Sequence, residues 1–378
     1  MQEIKLKKII FCLLETLDII SPQSTKKVVQ SIYIFNELLN TLKIENKNEL
    51  TINALYLSII NSKSGSNSLR KKLLNHKIKG FEYLSDDSHR IEQEQLIQLI
   101  NIADNVQAYF KKTGKIDKGI TKPYLFKPKI KQALTHLVNN TNLVQQLNHS
   151  LLEQEIYEIL PSTNIYYGLN DYENFALFLN IWANESHTEL LEQSLALSFV
   201  VFTLGKCFNL PVETCHRIKT AALFHSLGKI GITTDILNKH PNLTAEEEVE
   251  FHSYPYYTFK IIKHLENIKD IILWATYNHH RLTEIDQEKK ALLEIEIQLL
   301  AVSELYVSYR HDSEFKKGLP LEKAISKLDE VVEKYFNPTI TKYLKKNLGL
   351  IEKNRKAGQE LAKHILDPQF SIEQLQTA

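Results

Sequence analysis

The segment AALFHSLGKIGI, at residues 221–232, places a histidine where a helix is expected to end. Its first half is apolar and helical in pattern, and the glycines of GKIG mark a turn directly after His225. A histidine at a helix end beside such a turn is well placed to reach a metal ion. The next segment, TTDILNKHPN at 233–242, is predicted to be extended, and Thr244 with Glu247 has the form of a capping box that starts another helix.

The composition of the chain favours an all-α fold. The chain has 378 residues, 43% of them hydrophobic and 24% charged, which is ordinary for a globular protein and long enough for two domains. It contains only 11 glycines and 10 prolines. Because both residues break helices, a chain poor in both is expected to be largely helical.

Apolar periodicity supports the same fold class. Between Leu321 and Tyr335 the apolar residues recur three and four positions apart, which places them on one face of a helix. The stretch from Leu195 to Leu204 is apolar on nearly all sides, so we expect it to be a buried central helix.

The chain also repeats itself, which predicts a duplicated helical domain. IQLINIADNVQAYF at 97–110 aligns without gaps with IQLLAVSELYVSYR at 297–310. Further on, FKPKIKQAL at 126–134 matches FNPTITKYL at 336–344. Two matches in the same order with similar offsets are typical of tandem copies of one supersecondary unit.

The two copies are expected to divide at a short linker, where Pro161, Ser162 and Thr163 follow one another. This division predicts one domain at residues 1–163 and a second at residues 164–378.

Charge and cysteine content restrict the expected partners and compartment. The formal net charge is +1, without an acidic or basic tail, so neither nucleic-acid binding nor membrane insertion is expected. The three cysteines, Cys12, Cys207 and Cys215, form neither a disulfide framework nor a CxxC motif. That usage suits a reducing cytoplasm.

Four segments in order resemble the HD-GYP family, in a branch with tandem HD domains. AALFHSLGKIGITTDILNK resembles the family signature AALLHDIGKIGIPDEILNK. The other three are SYPYYTFKII at 253–262, LWATYNHHRLTE at 273–284, and the segment at 297–325 that begins IQLLAVSELYVSYR. The resemblance implies two tandem HD-type helical domains and the fold of an all-α, metal-dependent phosphodiesterase. Family members of this kind hydrolyse cyclic dinucleotides such as cyclic di-GMP. They use Fe or Mn ions held by histidines and a bridging aspartate.

Several metal-ligand positions of the family carry other residues here. Gln193 stands at the first histidine, Ser226 at the bridging aspartate, and Tyr254 at the histidine before proline. Serine has no charge to offset two metal ions, so this change argues against a binuclear centre. The family's DGSGYP tail is also absent, with Thr283, Glu284, Ile285 and Asp286 in its place.

The remaining candidate metal ligands are His225, His279, His280 and Glu304. The resemblance divides them between two metal positions, so neither position is complete. No cofactor is therefore expected, and any metal present would be Fe, Mn or Zn. In the N-terminal copy Asp104 matches Glu304 but has no histidine partners, so this copy is predicted to be structural.

Two functional hypotheses follow. The first is a catalytically inactive, HD-GYP-like regulatory or scaffold protein. It would bind a protein partner or a cyclic dinucleotide in the cleft that forms the active site in the family. The alternative is a metal-dependent cyclic di-GMP phosphodiesterase with an altered site. Lys229, Arg281 and Arg310 are candidate phosphate contacts, since fixed cations suit phosphates. A homodimer is compatible with this fold, although no particular residue indicates it.

Overall fold

A computed structural model describes most of the chain, namely residues 2–63, 73, 78–81, 90–121, 127–185, 187–239, 243–277, 293–312 and 317–367. The described chain forms two compact units, Glu3–Ile165 and Tyr166–Ala378, the second including Met1–Gln2. Both units are helical, and this confirms the predicted all-α class. A small two-stranded sheet pairs β1 (Gln2–Lys5) with β2 (Asn164–Tyr167).

The N-terminal unit is arranged around one long helix, α2. This helix begins after Ser21, whose side chain accepts a hydrogen bond from the backbone N–H of Ser24, and Pro22 occupies its first turn. α2 packs against α3, α4, α5 and α7. The helices of the unit are α1 (Leu6–Ile20), α2 (Pro22–Leu42), α3 (Lys47–Lys63), α4 (Arg90–Thr113), α5 (Pro128–Asn139), α6 (Leu143–Leu147) and α7 (Leu152–Ile159), with a 3₁₀ helix at Lys118–Thr121.

The C-terminal unit surrounds a buried helix, α9. Its elements are α8 (Leu169–Ala183), α9 (Thr188–Cys207), α10 (Val212–His225), a 3₁₀ helix (Ser226–Gly231), α11 (Thr234–Lys239), α12 (Ala245–Phe251), α13 (Tyr254–Ile262), α14 (Lys269–Thr276), α15 (Ile295–Arg310), α16 (Leu321–Tyr335), α17 (Thr339–Lys346) and α18 (Leu348–Leu366). α9 packs against α10, α15 and α18, which confirms the predicted central helix. Among the described residues, α9 alone is long and apolar enough to cross a membrane, but 67% of that window is buried inside the structure.

Local sequence signals explain most of the helix ends near the site. α10 ends at His225 and a 3₁₀ turn follows, as the glycines predict. The capping box forms as well, because the Thr244 hydroxyl accepts from the Glu247 N–H and the Glu247 carboxylate accepts from the Thr244 N–H. The prediction of an extended segment at 233–242 was wrong over Thr234–Lys239, which is helical. Ile236 in this short helix is buried against an apolar cluster, so tertiary packing overrides the weak local signal.

Candidate functional site

His225 lies at the end of α10 and is held in one orientation. Its side chain is 1% exposed, and its Nδ1 lies 2.8 Å from the backbone carbonyl oxygen of Ala275 in α14. A carbonyl oxygen only accepts hydrogen bonds, so Nδ1 carries a proton and donates it. The other ring nitrogen, Nε2, is therefore the atom that faces the interior of the site.

Two side chains meet Nε2 of His225. The hydroxyl oxygen of Tyr254 lies 2.9 Å from it, and Oε2 of Glu304 also lies 2.9 Å from it. An imidazole lone pair and a carboxylate are both acceptors, so a contact this short requires one proton between them. The pair is thus either an imidazolium beside a carboxylate or a carboxylic acid that donates to a neutral ring.

Lys229 supplies a positive charge to the same group. Its Nζ donates to Oε1 of Glu304 at 3.3 Å, and it also lies 5.2 Å from the ring centroid of Tyr254. Lys229 is only 7% exposed, so its ion pair is screened by little water. His225, Lys229, Tyr254 and Glu304 together are called the His225 cluster below.

Tyr254 contributes a neutral phenol to the cluster. Burial raises its pKa well above the ordinary value, and the charge and hydrogen bond of Glu304 act in the same direction. The hydroxyl lies 3.4 Å from Oε1 of Glu304, to which it donates. Tyr254 is therefore a hydrogen-bond donor at a position where the family resemblance expects a metal-binding histidine.

The turn after α10 is locked against α13. The hydroxyl of Thr258 donates to the backbone oxygen of His225 at 3.0 Å, and it accepts from the N–H of Gly228, also at 3.0 Å. A Cβ atom at Gly228 would collide with the backbone oxygen of Tyr254 and the backbone nitrogen of Thr258. Glycine is needed here because two backbone segments approach each other closely.

The other candidates described by the structure do not join the cluster. Ser226 is buried in the 3₁₀ turn and Gln193 is partly exposed on α9, and neither has a hydrogen bond to the cluster within the described part of the chain. Arg310 directs one terminal nitrogen to the oxygen of Leu319 and the other to Oε1 of Glu352, 2.8 Å away. The predicted phosphate contact therefore has its two terminal nitrogens engaged within the protein.

Three of the predicted site residues, His279, His280 and Arg281, lie outside the described residues. Two contributors were missed by the sequence reasoning, the carbonyl of Ala275 and the hydroxyl of Thr258. No sequence signal could have found the Ala275 carbonyl, because every residue has one. Thr258 lies four residues after Tyr254, one turn along α13, and that spacing would have been a usable signal.

The described residues fit a binuclear metal centre poorly. His225 has the posture of a metal ligand, since a histidine that binds metal through one nitrogen usually donates the other N–H to a carbonyl or carboxylate. Glu304 is close enough to share an ion with it. Beyond this pair, however, the described residues include no group of three or more His, Cys, Asp or Glu side chains that could hold a metal. The uncharged Ser226 hydroxyl and the neutral Tyr254 phenol do not replace two anionic or imidazole ligands.

Comparisons with known proteins agree with this architecture. Residues 180–340 match the HD domain family. The chain is 22% identical over 237 residues to 3'3'-cGAMP-specific phosphodiesterase 3 of Vibrio cholerae, covering 60% of this chain and 50% of that protein. It is 24% identical over 161 residues to a cyclic di-GMP phosphodiesterase of Pseudomonas aeruginosa, covering 42% of this chain and 39% of that protein. The chain thus spans half or less of the length of these curated relatives.

A solved structure resembles the chain over nearly its whole length. The crystal structure of a cyclic GMP-AMP specific phosphodiesterase of V. cholerae superposes with a TM-score of 0.56 at 12% identity, covering 92% of this chain and 99% of that one. This similarity concerns the fold alone. Residues 180–340 of the C-terminal unit match the HD domain family, and the similar structure agrees with the all-α fold of the chain.

Proposed function

We propose that this chain is a regulatory protein of cyclic-dinucleotide signalling. Its HD domain binds a cyclic dinucleotide without hydrolysing the phosphodiester bonds. The observation that carries the proposal is the closed His225 cluster. In it the nitrogen that would face a metal is bonded to Tyr254 and Glu304, and Lys229 provides the counter-charge.

The chemistry of these side chains supports binding rather than hydrolysis. A two-metal mechanism uses the ions to generate hydroxide and to offset the charge of the phosphate in flight. Ser226 carries no negative charge with which to bridge two cations, and the Tyr254 phenol stays neutral because its pKa is raised. The buried ammonium of Lys229 already compensates Glu304, as a metal would. With the one proton shared between His225 and Glu304, the ammonium of Lys229 leaves the cluster with one net positive charge, which disfavours the binding of metal cations.

The ligand class is inferred from the relatives. One curated relative is specific for 3'3'-cGAMP and another acts on cyclic di-GMP. A domain that keeps the HD scaffold and the buried Lys229 retains one cation suited to a phosphate. A protein partner and a homodimer stay predictions from the sequence.

A second candidate function is metal-dependent hydrolysis of a cyclic dinucleotide. The posture of His225 favours it, because Nδ1 is held by the Ala275 carbonyl and Nε2 points at Glu304. His279 and His280 would be further ligands. Both curated relatives are phosphodiesterases, and this supports hydrolysis more directly than it supports an inactive site.

Metal content, hydrolysis and binding measured on the full chain separate the two candidates. The protein is analysed for Fe, Mn and Zn as purified and after incubation with Fe²⁺ or Mn²⁺. It is then assayed for hydrolysis of cyclic di-GMP and 3'3'-cGAMP. We expect less than stoichiometric metal, no hydrolysis and heat of binding with at least one of the two nucleotides in calorimetry.

Stoichiometric metal together with hydrolysis would overturn the proposal in favour of the phosphodiesterase. In that case both signals should vanish in His225→Ala and in His279→Ala. His149→Ala is the matched control, because His149 is an exposed histidine of the N-terminal unit that pairs with Glu155. An absence of binding heat at high micromolar nucleotide would remove the nucleotide as the ligand.

A further inference from the structure

His311 is a buried histidine that the His225 cluster does not use. It directly follows α15 and is 5% exposed. Glu304 lies in α15 seven residues earlier, which is close to two full helical turns. The two residues therefore lie on the same side of α15, so His311 is on the side of the helix that faces the cluster.

A chain of hydrogen bonds fixes the tautomer of His311. The Arg355 guanidinium donates to Oε1 of Gln359 at 2.7 Å, and Nε2 of Gln359 lies 3.0 Å from Nδ1 of His311. A guanidinium only donates, so the amide oxygen of Gln359 must face it and the amide N–H must face the ring. Nδ1 of His311 therefore accepts, and the ring proton is on Nε2.

Arg355, the first donor in this series of hydrogen bonds, is itself rigidly held. Arg355 is 4% exposed and forms two hydrogen bonds of 2.8 Å with the carboxylate of Glu352. Such a bidentate pair has a single favourable geometry, so it fixes the plane of the guanidinium. The orientation of His311 is thus set by α18, through side chains that cannot easily rotate.

The Nε2–H of His311 has no acceptor among the described residues, although it is buried. A buried donor without an acceptor is costly, and native proteins contain few of them. Burial and the charge of Arg355 lower the pKa of His311 to about 4, and the charges of Lys229 and Lys363 act in the same direction. Asp312 opposes them. Near neutral pH the ring is therefore uncharged and presents one N–H.

We propose that the Nε2–H of His311 donates a hydrogen bond to an anionic phosphate oxygen of a ligand bound beside the His225 cluster. The inference rests on the proposed function, since it assigns one recognition contact to the ligand of that site. An anion is favoured over a metal ion for two reasons. Nε2 has no free lone pair, and the positive charges of Arg355, Lys229 and Lys363 outweigh the negative charge of Asp312 at the ring.

The decisive variant is His311→Phe, studied in the full chain. Phenylalanine keeps a flat ring and removes the donor. We expect calorimetry to show cyclic di-GMP or 3'3'-cGAMP binding weakened by about tenfold or more, because a ligand oxygen loses a buried donor. The urea midpoint of the C-terminal unit should change little near neutral pH, because the substitution removes a buried donor that lacks an acceptor but also removes the acceptor of the Gln359 N–H.

His364→Phe is the matched control, because His364 is an exposed histidine of α18. It should bind as the wild type does. A merely structural role for His311 predicts the opposite result for His311→Phe, a lower urea midpoint with unchanged affinity, and that result would overturn the inference.

Nuclear magnetic resonance of the ¹⁵N-labelled histidine rings tests the inference independently of hydrolysis or affinity. The His311 ring signals are assigned by their loss in His311→Phe. We expect the free protein to show the proton on Nε2, and this signal to shift when the nucleotide or inorganic phosphate is added. A proton on Nδ1 would overturn the inference.

The two proposals fail in different ways. If the wild type binds a cyclic dinucleotide and His311→Phe binds it equally well, the proposed function stands and the role of His311 is wrong. If the wild type binds neither nucleotide, nucleotide recognition in the proposed function is wrong. The titration with inorganic phosphate then decides about His311, and an unmoved ring signal would overturn the inference.

Discussion

The N-terminal and C-terminal units contain buried polar networks of different charge. In the N-terminal unit the amide of Gln107 donates to Gln30 at 3.0 Å, and Gln30 donates to the backbone oxygen of Leu147 at 2.8 Å. Both glutamines are neutral and nearly fully buried. In the C-terminal unit the buried polar groups include the His225 cluster, which contains the ion pair between Lys229 and Glu304. Burying charge is far more costly than burying amides, so the charged cluster is the stronger candidate for a functional site.

The repeated helices allow the two units to be compared at corresponding acidic residues. Asp104 in α4 corresponds by the repeat to Glu304 in α15. Glu304 is in hydrogen-bonding distance of three side chains of its own unit, whereas Asp104 is half-buried and has no hydrogen bond or ion pair within the described residues. The corresponding acidic position is therefore built into a cluster in one unit only. That the two units are copies of one HD-type domain stays a prediction.

The largest expected effect comes from removing the counter-charge of the cluster. Lys229→Met leaves Glu304 buried with a weaker set of partners. We expect the C-terminal unit to lose about 3–5 kcal/mol of stability, the usual result of breaking a buried ion pair. Both tryptophans of the chain, Trp182 and Trp274, belong to this unit, so urea unfolding followed by tryptophan fluorescence reports on it alone.

A double variant supplies the control. Lys229→Met combined with Glu304→Gln removes both charges and should recover a large part of the loss, because no isolated charge is left. Equal stability of Lys229→Met and the wild type would mean that the ion pair contributes nothing, and the contrast between the two units would then disappear.

The next largest effect is a loss of stability of the C-terminal unit at acidic pH. The pKa of His311 is lowered from 6.5 to about 4 in the folded state. The unfolded chain therefore binds more protons between these values, so stability is full above pH 6.5 and falls as the pH drops towards 4. The loss should be on the order of 3 kcal/mol at pH 4. Glu352 extends the loss below pH 4.5, because its folded pKa is about 2. Burial raises this pKa, but hydrogen bonds from Arg355 and Arg310 favour the charged form and lower it further than burial raises it.

His311→Phe separates the contributions of His311 and Glu352 to this acid sensitivity. In the variant the urea midpoint should no longer depend on pH between 6.5 and 4.5, whereas the loss below pH 4.5 should remain. The groups with raised pKa values in the N-terminal unit include Tyr33, at about 12, so they titrate in the alkaline range. A slope above pH 4.5 that survives in His311→Phe would assign the acid sensitivity to another group.

A smaller effect is expected from Gly228, which lies in the 3₁₀ turn after α10. In Gly228→Ala the new methyl group would meet backbone atoms of Tyr254 and Thr258, which cannot move independently. We expect a loss of about 2–3 kcal/mol, typical of overpacking against rigid atoms. In the N-terminal unit Gly119→Ala is the matched control, because its methyl group would meet the side chain of Tyr109, which can move aside.

Gly119→Ala should therefore change stability by well under 1 kcal/mol, within the range of most surface substitutions. A loss from Gly119→Ala as large as that from Gly228→Ala would show that close packing around glycine is not special to the turn after α10.

Features that depend on local patterns could be predicted from the sequence. The central helix at 195–204, the end of α10 at His225 and the capping box at Thr244 all follow from residues that are near one another in the chain. Contacts between distant residues could not be read in this way. The bond of His225 to Ala275 spans 50 residues, and its contact with Glu304 spans 79.

The missed features share one physical reason, which is that side-chain direction depends on packing between elements. Tyr254 was identified as a lost metal ligand, yet its role as a donor to the cluster required knowing where its hydroxyl points. His311 gave no signal as a residue type, although its position two turns after Glu304 could have drawn attention to it. The strand Gln2–Lys5 was missed because four residues carry too little pattern and their partner strand lies at 164–167.

The smallest effect is predicted for the neutral network of the N-terminal unit. Gln107→Leu removes the donor to Gln30 but leaves no buried charge, so the cost should be about 1–2 kcal/mol, the usual penalty for one unsatisfied polar group. Cys12 is the only cysteine of this unit and is fully buried, so its rate of labelling by a thiol reagent reports local opening. Labelling should accelerate by about 5- to 30-fold, which corresponds to that free energy. Gln30→Leu combined with Gln107→Leu should accelerate it by a similar factor, because the unsatisfied Gln30 oxygen is then gone but the Leu147 oxygen loses its donor. An effect as large as that of Lys229→Met would mean that the neutral network is as strongly coupled as the charged one, and the comparison between the units would lose its basis.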